Sequence, residues 1–173
     1  MTQISLKDIS FTEGKQIFRK SVALIEEEHN IKILYAFVRG SHLYGLNTPQ
    51  SDVDITFIYQ QPTLDVASSN YKPYLDISGT GDVVGYEIAN TLELLSNANP
   101  TILELLDVRK DCVIYQSPGF IQELKSVNWV SKKVEKSILG YAYSQVKKAT
   151  GLNKKMNNPQ PEKRKSILEF CYI

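Results

Sequence analysis

The sequence predicts an α/β (α+β) fold, in which a small mixed β-sheet is flanked by helices and followed by a helical C-terminal segment. Short apolar runs rich in β-branched residues alternate with longer segments of helical period, which is the main observation behind this prediction. A chain of 173 residues fits one domain with a substantial core. The composition, 42% hydrophobic and 23% charged, is that of an ordinary globular protein.

The first half of the chain contains one predicted helix and two predicted strands. Phe18, Val22 and Ile25 recur on one helical face, and Asn30 ends that helix. The apolar runs "IKILYAFV" and "ITFIY" predict buried strands, and the polar stretch between them predicts a turn and a loop. In chain order, the predicted elements are a helix over 12–29, a strand over 33–38, a turn at 40–41, a short helical piece over 42–46, a loop over 47–50 and a strand over 53–59.

The second half begins with residues 60–79, which lack a clear period and carry two prolines. This predicts a long irregular connection, of the kind that is usually functional or disordered. The run "GDVVGYEI" then predicts a third strand that continues into a helix, with Ile88, Leu92 and Leu95 on one face. The remaining predicted elements are a helix starting at Pro100, a short strand over 112–115, a helix over 118–127 capped by Ser117, a long helix over about 130–150, a polar loop over 151–161 and a helical segment up to residue 173.

The net charge of +1 conceals an asymmetry along the chain. Residues 131–173 carry ten Lys/Arg and three acids, a net charge of +7, so the preceding 130 residues carry −6. This pattern suits catalytic carboxylates that are separate from a phosphate-binding surface, and it equally suits a solvated helical face. A nucleotide or RNA face and an amphipathic packing face are both open for the long helix, whose candidate residues are Tyr141, Tyr143, Gln145, Lys147 and Lys148.

The cellular location is predicted from the residues that follow Met1 and from the two cysteines. The start of the chain has no signal-peptide core, and no apolar run approaches the ~20 residues of a membrane span. Cys112 and Cys171 are not spaced as metal ligands and look like small buried residues in a reducing compartment. We therefore expect a cytoplasmic protein without a membrane partner. No sequence pattern indicates an oligomeric state.

Two aspartates separated by one apolar residue open the second predicted strand. Residues two apart in a strand share a face, so Asp52 and Asp54 point together while Val53 turns into the core. Two neighbouring carboxylates repel each other unless a cation lies between them. Oxygen ligands favour Mg²⁺ or Mn²⁺, and Mg²⁺ binds substrate phosphates well, which indicates a nucleoside triphosphate (NTP) as substrate.

Gly40 and Ser41 supply the second half of the pattern. A glycine lets the backbone approach a phosphate closely, and successive N–H groups in a turn form an anion-binding nest that a Ser hydroxyl extends. Alone, Gly-Ser is typical of a turn, and Asp-x-Asp is typical of a solvated strand edge. The complete pattern indicates a functional site. In chain order it consists of a strand, Gly-Ser, about ten residues, Ser-Asp-x-Asp and a second strand.

The segment "GSHLYGLNTPQSDVDI" resembles the signature of the DNA-polymerase-β-like nucleotidyltransferase superfamily. The chain further resembles predicted nucleotidyltransferases of bacteria and phages, some of them linked to RNA repair. The features that carry this resemblance are the pair Tyr44-Gly45, Ser51 and the later run "DVVGYEIANTLELLSNANPTILELL". The resemblance implies that residues 1–116 form a nucleotidyltransferase core of the polymerase-β palm type. Residues 117–173 would then be a helical, basic segment that starts a longer accessory region.

The resemblance also implies roles for individual residues. Gly40 and Ser41 would hold the triphosphate, with Arg39, Tyr44 and Ser51 as further nucleotide-binding candidates. The catalytic carboxylates, which would bind two Mg²⁺ (or Mn²⁺) ions, would be Asp52, Asp54 and a third residue on a neighbouring strand. Asp82 is the first candidate for that third carboxylate and Glu87 the alternative. The two have opposite strand parity and should not share a face.

The expected activity is metal-dependent transfer of a nucleoside monophosphate from an NTP to a hydroxyl group, with release of pyrophosphate. The acceptor would be RNA, a protein or a small molecule. An alternative reading is a non-catalytic nucleotide-binding or interaction protein that keeps the fold. Transfer of a labelled nucleotide, as opposed to binding alone, discriminates the two.

Overall fold

Five strands form one mixed sheet in the computed structural model, which describes residues 6, 9–48 and 51–149 and the side chains as far as residue 147. The strands are β1 (Lys32–Arg39), β2 (Asp54–Gln60), β3 (Tyr74–Asp76), β4 (Val83–Glu87) and β5 (Val113–Gln116). The helices are α1 (Phe11–His29), α2 (Ser41–Tyr44), α3 (Thr63–Val66), α4 (Ile88–Ser96), α5 (Pro100–Leu103), α6 (Phe120–Lys125) and α7 (Lys133–Ala149), with 3₁₀ turns at Glu104–Asp107 and Lys110–Cys112. The predicted fold class, a small mixed sheet flanked by helices, is confirmed.

The strand order β3-β4-β2-β1-β5 determines where the polar motifs meet. β2 and β4 are parallel, with Ile55 opposite Val83, so the starts of these two strands lie side by side. β1 runs antiparallel to β2 and ends with Arg39 opposite Asp54. The end of β1 and the starts of β2 and β4 therefore share one edge of the sheet.

The two faces of the sheet are covered by different helices. Phe57 lies on one face and packs against Phe18 of α1, with ring centroids 5.6 Å apart, and α4 contacts β2 and β4. Tyr35 lies on the other face and packs against Phe120 of α6 at 6.4 Å. By strand parity, this second face also carries Asp54 and the residues that alternate with it, and it is called the site face below.

The connection over residues 60–79 is more ordered than the sequence predicts. It contains α3 and the short strand β3, which pairs antiparallel with β4 at the edge of the sheet. Buried Gln61 fixes its course, because its side chain accepts from the Lys72 N–H at 2.7 Å and donates to the Asn70 carbonyl at 3.3 Å. A three-residue strand is too short to produce a visible period, so the prediction of an irregular connection was wrong there.

Helix boundaries near the end of the described chain also differ from prediction. α6 begins at Phe120 and not at residue 118, because Gly119 adopts a φ of 80°, outside the helical region. α7 begins at Lys133, three residues after the predicted start. The loop and terminal helical segment predicted over 151–173 lie outside the described residues. A domain boundary at residue 116, where β5 ends, stays a prediction.

None of the helices in the described ranges has both the length and the apolar character needed to cross a membrane.

Candidate active site

Two of the predicted carboxylates are brought together by the parallel pairing of β2 and β4. Asp54 is the first residue of β2, and Asp82 directly precedes β4, where its carbonyl accepts from the Ile55 N–H at 2.7 Å. Asp52 lies two residues before β2 and is exposed to solvent. Val53 between the aspartates is 1% exposed, so the prediction that it turns into the core is confirmed.

The electrostatics of Asp54 reflect this crowding. Burial raises the pKa of its carboxyl group most, and the neighbouring charges of Asp82 and Asp52 raise it further. Arg39 and His42 lower the pKa of Asp54, but not enough to offset the increase. A half-buried carboxylate that faces two others is stabilised in its charged form by an added cation.

The donor chemistry of these residues fits a hard divalent cation. Three carboxylates supply only oxygen, which suits Mg²⁺ or Mn²⁺ better than a softer metal. Across the part of the chain that the structure describes, no three acidic, His or Cys side chains are already gathered as a metal site. The fit therefore depends on the donor set and on the mutual repulsion at Asp54, and not on a preformed cage.

Gly40 lies against Asp54 in a conformation that favours glycine. Its φ of 69° and ψ of −143° are unfavourable for other residues, and an added Cβ would lie 3.0 Å from Asp54 Oδ2. Ser41 follows as the first residue of α2 and is partly buried. The Gly-Ser turn and the carboxylate therefore occupy the same small region.

Arg39 and His42 flank this turn, and both have a buried nitrogen without a hydrogen-bond partner among the described residues, Nε of Arg39 and Nε2 of His42. Arg39 Nη2 donates to the Gly81 carbonyl at 3.0 Å, which ties the end of β1 to the turn before β4. The imidazole of His42 is 8% exposed and stacks on Phe11, with centroids 5.1 Å apart.

Asp82 is oriented by the turn that joins β3 to β4. Thr80 Oγ1 donates to Asp82 Oδ2 at 2.6 Å. Ser78, 2% exposed, accepts from the Asp82 and Val83 N–H groups at 3.1 and 3.2 Å. Sequence reasoning missed Thr80 and Ser78, although a hydroxyl residue two positions before an aspartate in the run "SGTGD" was an available signal.

Glu87, the alternative third carboxylate, lies elsewhere. It ends β4, five residues beyond Asp82, which corresponds to about 16 Å along a strand. Its side chain is 1% exposed and accepts from the Ala89 N–H at 2.6 Å, so it caps the start of α4. The structure therefore places Asp82 next to Asp54 and assigns Glu87 a helix-capping contact.

Tyr44 and Ser51, the remaining nucleotide-binding candidates, make contacts within the protein. The Tyr44 hydroxyl donates to Glu104 Oε1 at 2.5 Å, and the ring remains 59% exposed. Burial, followed by this contact with Glu104, raises the pKa of Tyr44. Ser51 Oγ accepts from the Thr48 N–H at 2.8 Å and so helps to close the loop before Asp52. Nucleotide contact by either residue stays a prediction.

Comparison with known proteins places this geometry in context. A family model described as "RNA repair pathway DNA polymerase beta family" matches residues 15–168. "Uncharacterized protein YcgL" of Bacillus subtilis (strain 168) is 30% identical over 136 residues, which are 73% of this chain and 49% of that protein. "Uncharacterized 38.9 kDa protein in nrdC-mobD intergenic region" of Enterobacteria phage T4 is 30% identical over 123 residues, 63% of this chain and 36% of that protein. The chain spans half or less of the length of these relatives, and no solved structure matches it.

Proposed function

Because the chain belongs to the RNA repair pathway DNA polymerase beta family, we propose that it is a metal-dependent nucleotidyltransferase. It would transfer a nucleoside monophosphate from an NTP to a hydroxyl acceptor and release pyrophosphate. The observation that carries the proposal is the juxtaposition of Asp54, Asp82 and the Gly40 turn at one edge of the sheet. A reaction that consumes NTPs also fits the cytoplasmic location that the sequence predicts.

The triphosphate is assigned to the Gly40-Ser41 turn. Gly40 permits close approach of the backbone, and the N–H groups at the start of α2 together with the Ser41 hydroxyl are the donors for phosphate oxygens. Asp52, Asp54 and Asp82 are assigned to two Mg²⁺ or Mn²⁺ ions. When bound, these ions would lower the pKa of the acceptor hydroxyl and neutralise the charge of the departing pyrophosphate.

The order of the strands supports separate positions for the two proposed substrates. Gly40 and Ser41 follow β1, on one side of Asp54, whereas Asp82 precedes β4 on the other side. The acceptor therefore approaches from the β4 side, where its hydroxyl oxygen forms a bond to the α-phosphorus. The bond from that phosphorus to the bridging oxygen breaks and pyrophosphate leaves. In this proposal, Asp82 would also accept the hydroxyl proton. The hydrogen bond from Thr80 holds Asp82 in orientation for that step.

A transfer assay tests the proposal. The 173-residue chain is incubated with each α-labelled NTP, Mg²⁺ or Mn²⁺, and RNA, protein or small-molecule acceptors. We expect label on one acceptor class and none with Asp54→Asn, while the Leu64→Ala variant, altered at a residue that is 84% exposed on α3, transfers normally. NTP binding without transfer to any acceptor would contradict the proposal and favour a non-catalytic nucleotide-binding protein.

A further inference from the structure

Two tyrosines lie on the site face of the sheet, and the one on β4 is four residues along the chain from Asp82. Tyr74 of β3 and Tyr86 of β4 are directly opposite in the strand pairing. Their rings meet edge to face, with centroids 5.4 Å apart and an interplanar angle of 73°. Tyr74 is 46% exposed and Tyr86 is partly buried. Because alternate strand residues share a face, Tyr86 lies on the same face as Asp82.

The strand order places these tyrosines opposite the phosphate-binding turn. In the order β3-β4-β2-β1, Asp54 of β2 lies between Gly40, which follows β1, and the two rings on β4 and β3. A molecule on the tyrosines therefore reaches the carboxylates from the acceptor side. This step rests on the proposed function, which assigns the triphosphate to the Gly40-Ser41 turn.

Arg39 supplies positive charge to the same surface. Its bond to the Gly81 carbonyl brings the guanidinium from the end of β1 to the turn before β4. Burial and the neighbouring Tyr86 and Asp76 raise the pKa of Tyr74, whereas the charge of Arg39 lowers it, so Arg39 acts electrostatically on the Tyr74 hydroxyl. Arg39 pairs opposite Asp54, so its side chain lies on the same face of the sheet as the two rings. Aromatic rings and a guanidinium on one face form the kind of surface on which unpaired bases stack while phosphates are held.

We propose that Tyr74, Tyr86 and Arg39 form the acceptor-binding surface and that the acceptor is a single-stranded RNA with a terminal hydroxyl. Unstacked RNA bases are commonly bound by stacking on aromatic side chains. A protein or small-molecule hydroxyl would not need such a ring surface. Tyr86 lies four residues beyond Asp82, about 13 Å along the strand. At ~3.4 Å for each stacked nucleotide, an RNA needs about four nucleotides to span that distance.

Binding measurements on the whole chain test this surface. Two probes are used, both with Mg²⁺. Binding of a labelled oligoadenylate of about ten nucleotides is measured by fluorescence anisotropy, and binding of ATP is measured by calorimetry. We expect Tyr74→Ala to raise the Kd of the oligonucleotide about tenfold, the effect of losing one stacked base, without changing the Kd of ATP. Tyr74→Leu keeps apolar volume against Tyr86 but has no planar ring, so it should weaken binding in the same way.

Two further variants separate stacking from other effects. Tyr74→Phe keeps the ring and should bind the oligonucleotide as the wild type does. Leu64→Ala removes an exposed apolar side chain from α3, 84% exposed, and should change neither Kd. A labelled dinucleotide, too short to reach the tyrosines from the carboxylates, should bind equally to the wild type and to Tyr74→Ala.

An unchanged oligonucleotide Kd in both Tyr74→Ala and Tyr74→Leu would overturn the inference. So would a loss of ATP binding in these variants, because the rings would then belong to the incoming nucleotide. A wild type that transfers nucleotide to another acceptor but binds no oligonucleotide overturns the RNA assignment alone. A wild type that binds ATP but transfers it to no acceptor overturns the proposed function, and the two failures are thereby distinguished.

Discussion

At the scale of single residues, Asp54 is expected to lower the stability of the folded protein and also to supply a ligand for the proposed metal ion. Burial and two neighbouring carboxylates raise the pKa of Asp54, so its charged form destabilises the folded protein without a cation. The same crowding provides the oxygen ligands that a divalent ion requires. The stability of the metal-free protein is therefore expected to be lowered by the group to which the proposed transfer assigns a metal-binding role.

The variant Asp54→Asn should stabilise the metal-free protein while reducing transfer on the order of 100-fold or more, the scale for one removed electrostatic group. Asp54 has a folded-state pKa above its unfolded value. Its favourable contribution is therefore complete below the ordinary Asp pKa and is lost as the pH rises through the raised value. The melting temperature of the variant should match that of the wild type in acid and exceed it at neutral pH, by about 2–4 °C per kcal/mol gained.

Thermal melts with and without Mg²⁺ check this prediction. Saturating Mg²⁺ should raise the melting temperature of the wild type, since a ligand that binds only the folded state stabilises it, and should raise that of Asp54→Asn much less. An Asn variant that melts below the wild type at neutral pH, or that transfers at the wild-type rate, would contradict the role of Asp54.

Gly40 gives a second test at the residue scale. Gly40→Ala should cost about 1–3 kcal/mol of stability, because φ is 69°, and should also displace Asp54, because the new Cβ lies 3.0 Å from Oδ2. Gly119→Ala is the matched control, with a φ of 80° and a Cβ whose nearest contact is Glu123 at 3.7 Å. Chemical denaturation should show loss of stability in both variants, and a transfer assay should show loss of activity only in Gly40→Ala.

The motifs of the site could be predicted from the sequence because they are local. Gly40, Ser41, Asp52 and Asp54 lie within one short stretch whose spacing carries the signal. The choice of Asp82 over Glu87 needed the parallel register of β2 and β4, which spacing alone does not provide. The bonds from Arg39 to Gly81 and from Thr80 to Asp82 depend on turn geometry and stayed unpredicted for the same reason.

At the scale of elements, β4 is held closely against β2 in the middle of the sheet. Gly85 faces Phe57 on the neighbouring strand, and a Cβ added at Gly85 would lie 2.3 Å from the Phe57 ring. That ring is fully buried and packs between Phe18 and Tyr59. The Phe57 ring therefore has little room to move. The absence of a side chain at Gly85 lets β4, the strand that positions Asp82, pack closely against β2.

Gly85→Ala should therefore destabilise the protein by about 1–3 kcal/mol through overpacking. Gly140→Ala is the control, because an added Cβ in α7 meets no atom within 4 Å. It should stabilise that helix by about 0.5–1 kcal/mol. Urea denaturation measures the free energy of unfolding of both variants and of the wild type. Equal stability of Gly85→Ala and the wild type would mean that the Phe57 ring moves freely to make room for the new Cβ.

Long elements were predicted well, and short ones were not. α1 repeats its apolar positions over five turns, and a capping box of Ser10 and Glu13 marks its start, so its position followed from the sequence. β3 has three residues and is defined by its pairing with β4, which no local pattern encodes. The start of α6 depended on the backbone conformation of Gly119, a choice that sequence leaves open.

At the scale of the whole molecule, charge is divided between the first 130 residues and the C-terminal region. Residues 1–130 carry −6 and residues 131–173 carry +7. Within α7, Lys147 is exposed and its Nζ lies 4.7 Å above the Tyr143 ring. An excess of basic side chains in this part of the sequence would attract a polyanionic acceptor.

Reversing Lys147 and Lys148 to Glu should weaken binding of an RNA acceptor and flatten its dependence on salt. Each lost phosphate contact with a single strand removes about 0.7 from the slope of log K against log[salt]. NTP binding should barely change, because exposed charges beyond ~10 Å are largely screened. Lys20→Glu, at an exposed residue of α1, is the control. If the affinity for the acceptor changes neither with salt concentration nor in the double variant, these lysines only solvate α7.

The parallel pairing of β2 and β4 also has a consequence for the order of folding. β1 and β2 are neighbours in the chain and pair antiparallel, so they can meet early, whereas β4 must return across a long crossover before it pairs with β2. We therefore expect Asp82 to reach Asp54 late in folding. We expect the contribution of Asp82 to the raised pKa of Asp54 to be absent until β4 docks, whereas the contribution of Asp52, two residues away in the chain, does not depend on β4.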